Sequence, residues 1–161
     1  MNKIIMLALS SVALSGCDEA RQGTGPFGTA KGMTAQGLRQ FAVLEHLSTK
    51  DGRTTYLSSQ APDTSGYADS YYYVIGSTTG LCAVSAAVNN MRTSPGSILH
   101  TLTEKYGLPV KDESTPWGVI WSADQYTLDE DLESIRVVFS GAEPEVGIMI
   151  QANYISAQSC R

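Results

Sequence analysis

The run Ser70-Tyr71-Tyr72-Tyr73-Val74-Ile75-Gly76-Ser77-Thr78-Thr79-Gly80-Leu81-Cys82-Ala83-Val84-Ser85-Ala86-Ala87-Val88-Asn89 decides the fold class. β-branched residues in both halves, and aromatics in the first, suit a pleated, half-buried surface. Ser77 to Gly80 has the length and composition of a hairpin connection, so Ser70–Gly76 and Leu81–Asn89 are expected to be antiparallel strands. A period of two places Tyr71, Tyr73 and Ile75 on one face of the first strand, with Tyr72 and Val74 on the other. In the second strand Cys82, Val84, Ala86 and Val88 share a face.

Downstream, Thr93 to Pro109 predicts a helix. Ser94 caps it, Pro95 suits its first turn, and Ile98, Leu99, Leu102 and Tyr106 form one apolar face before Gly107 and Pro109 stop it. Three further strands are expected at Trp117–Ser122, Ser134–Phe139 and Glu145–Ser156, each with alternating apolar residues: Trp117, Val119 and Trp121 align, as do Val146, Ile148, Ile150, Ala152 and Tyr154. Thr127-Leu128-Asp129-Glu130 has capping-box spacing and predicts a brief helical turn. Upstream, Thr34–Leu47 predicts a helix through Leu38, Phe41, Ala42 and Glu45 to Leu47, weakened by Gly37. The polar stretch Ser48–Asp69 has room for one strand around Thr54–Ser58. Short links between strands favour antiparallel pairing, and the order of elements implies an α+β domain in two layers, a mainly antiparallel sheet packed against one or two helices.

The first residues carry a different message. Asn2 and Lys3 form a short positive start, Ile4 to Leu14 are almost all apolar or small, and Leu14-Ser15-Gly16 precede Cys17. That run is shorter than the roughly 20 apolar residues a transmembrane helix needs, and it reads as a lipoprotein signal peptide over 1–16, with Cys17 the acylated first mature residue. The alternative is an ordinary secretory signal with a chance cysteine. Asp18 matches the sorting signal that keeps lipoproteins of enteric-type bacteria in the inner membrane, so a lipid-anchored periplasmic location is expected, with the outer membrane as the other destination. Residues 17–26, with Gly23, Gly25 and Pro26, are expected to be a lipidated tether, and 27–161 a single domain.

The full chain has 11 basic and 16 acidic residues; loss of Lys3 with the signal leaves a net charge of about −6, which disfavours nucleic acid as a partner. Export would carry Cys82 and Cys160 into an oxidising compartment, where they are expected to form one disulfide. His46 and His100 have no cysteine-protease context and no zinc-ligand spacing, so neither a catalytic thiol nor a metal is expected.

Several short motifs, taken in order, resemble a group of small bacterial domains of unknown function. They are Phe27-Gly28, Lys31-Gly32-Met33-Thr34, Gly80-Leu81-Cys82 opening a strand, and Leu102-Thr103-Glu104-Lys105-Tyr106-Gly107-Leu108-Pro109 closing a helix. Trp121, Ile135 to Val137 and Cys160 match that group's later strands and terminal cysteine. The likeness implies the fold and the disulfide, and it carries no catalytic residue. Gly32-Met33-Thr34 also resembles the start of small lipoproteins of the outer-membrane β-barrel assembly machinery. Those proteins place both helices before a three-stranded sheet, whereas here the stronger helix falls between strands.

No Gly-x-Ser-x-Gly elbow, Gly-rich phosphate loop or His-Glu-x-x-His helix is present. The acidic group Asp124, Asp129, Glu130, Asp131 and Glu133 lacks EF-hand spacing and reads as a solvated turn. Tyr71, Tyr73, Trp117 and Trp121 are the candidate binding face if their rings are exposed, and core if they are not. The expected function is a noncatalytic, membrane-tethered periplasmic module, without cofactor, that binds an envelope protein or cell-wall component. The alternatives are a small cell-envelope hydrolase or hydrolase inhibitor, and an accessory lipoprotein of outer-membrane assembly. Converging carboxylates in a pocket would favour the hydrolase.

Overall fold

The computed structural model describes residues 22–63, 68–89, 94–129, 131–141 and 147–154. Eight strands form one sheet: β1 (Glu45–Lys50), β2 (Arg53–Ser58), β3 (Ser70–Gly76), β4 (Gly80–Val88), β5 (Val110–Lys111), β6 (Gly118–Ser122), β7 (Leu132–Phe139) and β8 (Ile148–Tyr154). Helices α1 (Ala35–Leu38) and α2 (Pro95–Tyr106) complete the regular elements, with one 3-10 turn at Pro26–Gly28. The sheet order is β1-β2-β3-β4-β8-β7-β6-β5, and every pairing is antiparallel. Two meanders, β1 to β4 and β5 to β8, are thus joined edge to edge through β4 and β8.

The central hairpin folds as its composition demands. Tyr71 pairs with Ala86 and Tyr73 with Val84, and these in turn face Ile150 and Ala152 of β8, then Val137 and Ile135 of β7. Antiparallel partners project to the same side, so these rows build one continuous apolar face. Leu38 of α1, Ile98 and Tyr106 of α2, and Phe27 belong to the same buried cluster as these strand residues. Gly80 sits at φ 69°, and a Cβ there would lie 2.1 Å from the Gly32 carbonyl oxygen. That close approach lets Gly32 N donate to Leu81 O at 3.1 Å and Leu81 N donate to Met33 O at 2.8 Å, stitching the N-terminal segment to the start of β4.

Helix α2 begins and ends where its caps require. The Ser94 side chain accepts from Ser97 N at 3.2 Å, and Gly107, at φ 89°, donates its N–H to Thr103 O at 2.8 Å. Strands β2, β6, β7 and β8 lie within two or three residues of their expected spans; the outer ends expected for β8, Glu145–Val146 and Ile155–Ser156, lie outside the described residues.

Two expectations are corrected. The helix expected over Thr34–Leu47 is only the four-residue α1, with Thr34 Oγ1 accepting from Gly37 N at 3.0 Å; Glu45 onward is the edge strand β1. The deciding signal is Asp51-Gly52, both at positive φ (50° and 73°), a two-residue turn that folds β1 back on β2 and so overrides the helical pattern. No helix forms at Thr127–Asp129. The Asp129 side chain instead meets Lys105 and accepts from Tyr106 Oη at 3.0 Å, tying this segment to the last turn of α2; Glu130 lies outside the described residues. Gly23 and Gly25, on the N-terminal side of the 3-10 turn, pair with residues that end or follow it. Gly23 N donates to Gly28 O at 2.9 Å, Gly25 N donates to Thr29 O at 3.0 Å, and Gly25 is buried because its small size admits the Tyr154 hydroxyl beside it.

Candidate functional site

The aromatic residues singled out in the sequence do not make an exposed stripe. Tyr71, Tyr73 and Trp121 are buried, and only Trp117, just before β6, is open at 47%. Tyr71 and Tyr73 stack with centroids 6.5 Å apart, and Phe27 meets Tyr71 edge-on at 5.4 Å. The polar tips are used: Tyr73 Oη donates to Gln60 O at 2.9 Å, and Trp121 Nε1 donates to Gly107 O at 2.7 Å, tying β6 to the end of α2. Burial pushes both tyrosine phenols above their ordinary range. These rings are core.

The opposite face of the sheet is different in kind. Register places Ser85, Gln151, Arg136 and Ile120 in one row across β4, β8, β7 and β6, and Ala83, Asn153, Ser134 and Ser122 in the next. A cleft of about 420 Å³ lies along these rows, lined by Arg53, Val74, Cys82, Ala83, Glu133, Ser134, Arg136, Gln151, Asn153 and Tyr154. Small side chains on β4 make part of its wall, and long polar side chains on β7 and β8 make another. Gln151 Nε2 donates to Asn153 Oδ1 at 3.1 Å, and Asn153 Nδ2 donates to Ser134 Oγ at 3.1 Å, a polar chain that orients all three groups.

Arg136 is one of two arginines that line the cleft. Its Nε is in direct contact with Asp112 Oδ2, beyond the end of β5. Asp112 is 3% exposed, and its Oδ1 accepts from Ser114 N at 2.9 Å and from Ser114 Oγ at 2.7 Å. Burial alone would raise this carboxyl, yet the two Ser114 bonds and the Arg136 guanidinium outweigh it and hold the group below the usual carboxylate range. Gly118 makes room for the arrangement: a Cβ there would lie 2.5 Å from Thr115 Cγ2 in the same turn. Sequence reasoning missed Asp112, Arg136, Gln151 and Asn153, because nothing local marks residues that meet only across the sheet.

The other candidate residues fall elsewhere. Cys82 lines the cleft with its sulfur 3.3 Å from the Gly80 carbonyl oxygen; Cys17, Asp18 and Cys160 lie outside the described residues. The acidic group is dispersed: Asp129 is held by Lys105 and Tyr106, and Asp131 meets Lys31 at 3.3 Å. His46 Nε2 lies 2.9 Å from Thr49 Oγ1 on the exposed edge strand, and His100 Nε2 lies 3.3 Å from Glu104 Oε1 on the surface of α2. Among the described residues no group of three or more His, Cys, Asp or Glu is placed to hold a metal, and no helix is long and apolar enough to cross a membrane. Compared with known protein families, curated proteins and solved structures, the chain matches none.

Proposed function

We propose that this protein is a noncatalytic ligand-binding module of the bacterial envelope, held at the membrane by lipid on Cys17 and working on the periplasmic side. The polar cleft on the face of the sheet away from the aromatic core carries the proposal. Regular interior strands hold its side chains, so the groups are preorganised, and its lining mixes donors and acceptors suited to a polar ligand. The ligand is a protein or cell-wall component of the envelope; nucleic acid is disfavoured by a net charge of −5.

The finer architecture belongs to the same proposal: α1 and α2 form a second layer over the apolar face, leaving the polar face for the ligand. The leader over 1–16, Asp18 as inner-membrane sorting signal, and the unknown-function domain group of the resemblance are further parts of it. So is the Cys82–Cys160 disulfide. Register supports that bridge: Ala83 pairs with Asn153, so β8 delivers the chain beside Cys82, and five residues lie between Tyr154 and Cys160.

Crosslinking in living cells followed by mass spectrometry tests the whole. The expected result is a fatty-acylated Cys17 peptide together with envelope neighbours crosslinked near Arg136 and Gln151. Recovery of an uncut, unacylated chain from the cytosol would sink the proposal.

A further inference from the structure

Resting on the ligand-binding reading, we infer that the cleft takes a carboxylate of its ligand, with Arg136 as the anchor and Asp112 as the positioning residue. Arg136 lies in the middle of β7, paired with Ile120 on one side and Gln151 on the other, so its backbone has little freedom. Its Nε is committed to Asp112, which Ser114 in turn fixes. The Nη1 and Nη2 groups make no hydrogen bond among the described residues, while the side chain is 30% exposed and lines the cleft.

A guanidinium offers carboxylates two planar edges, and engagement of Nε leaves the Nη1–Nη2 edge for a ligand. That edge presents two parallel N–H groups to two coplanar oxygens, the shape of a carboxylate. Beside it, Gln151, Asn153 and Ser134 hold each other in a chain that uses one N–H of each amide, leaving a second N–H on both and the Gln151 carbonyl oxygen for groups next to the anion. A peptide C-terminus, with an amide adjacent to its carboxylate, offers that sequence of groups. Among the described lining residues the charged side chains are Arg53, Arg136 and Glu133, with Asp51 at 3.8 Å from Arg53. With Asp112 already opposing Arg136, a monoanion suits the cleft better than a phosphate dianion.

Titration of the isotope-labelled full-length protein with N-acetyl-glycylglycine, its C-terminal amide, glucuronate and inorganic phosphate, followed by NMR, tests this. The free acid is expected to shift the resonances of Arg136, Gln151 and Asn153 and to bind at least tenfold more tightly than the amide. Arg136→Gln is expected to abolish that acid-over-amide preference, and Arg136→Lys to lose most of it, since an ammonium lacks the planar fork. Asp112→Asn is expected to lower the acid-over-amide preference several-fold in a protein whose spectrum remains that of the folded chain, a change of selectivity that a merely structural role would not produce. Tighter binding of glucuronate than of the peptide acid supports carboxylate capture with an acidic sugar as its source. Equal binding of acid and amide in the cleft overturns the carboxylate inference and leaves the ligand-binding module standing. An unchanged preference in a folded Arg136→Gln protein, tighter binding of phosphate than of either acid, or no shift in the cleft with any probe also overturns it.

Discussion

Asp112 keeps its charge through contacts made only in the folded chain, so it couples stability to pH. Its carboxyl is held below the ordinary range, so its contribution is fully present above the unfolded pKa of about 3.9 and is lost as pH falls through the lower folded value. Asp112→Asn is expected to cost about 1–3 kcal/mol at pH 7, a moderate figure because Arg136 keeps some contact with water. The gap between variant and parent should narrow as pH falls below the ordinary carboxylate range, and urea unfolding at several pH values measures it. At this scale the sequence was informative about size and polarity but not about partners. Tyr71, Tyr73 and Trp121 were legible as one-sided residues, and the choice between core and surface needed the elements that pack on them. Asp112 and Arg136 are 24 positions apart and carry no local signature of their meeting.

Caps and turns were the most legible features, because their hydrogen bonds join residues close in sequence. Ser94 does what its position predicts, and Ser94→Ala is expected to lower stability by about 1 kcal/mol, measured by chemical denaturation. Gly80 was legible as a turn residue, yet its second duty was not. Besides a positive φ, it leaves room for the Gly32 carbonyl oxygen, so Gly80→Ala combines backbone strain with a collision. The expected loss is about 2 kcal/mol or more, accompanied by faster amide exchange at Leu81, whose N–H is bonded to Met33. The front helix failed for an opposite reason. Leu38 and Ala42 gave a helical spacing, but the Asp51-Gly52 turn closed Glu45–Lys50 onto β2, and seven-strand company on one side outweighs one turn of helix.

At the scale of the whole molecule, stability depends on the join that unites the two meanders, between β4 and β8, strands with α2 and three other strands between them in the chain. The proposed Cys82–Cys160 bridge would close a long loop across that join. Reduction, or Cys82→Ser, is then expected to cost about 3–5 kcal/mol by loop-closure entropy, read as a lower urea midpoint together with a mass gain of about 2 Da on reduction. An unchanged midpoint and mass would show that no bridge exists. The sequence by itself determined the hairpin, the capped helix α2, the alternation of the later strands and the antiparallel sense of the sheet, because each depends on periodicity or on bonds within a few residues. Only the tertiary structure decided that β8 pairs with β4, that three of the four candidate rings are core, and that Arg136, Gln151, Asn153 and Ser134 line one cleft. Those facts depend on which strand edges meet, and that is settled by burying an apolar face through contacts distant along the chain.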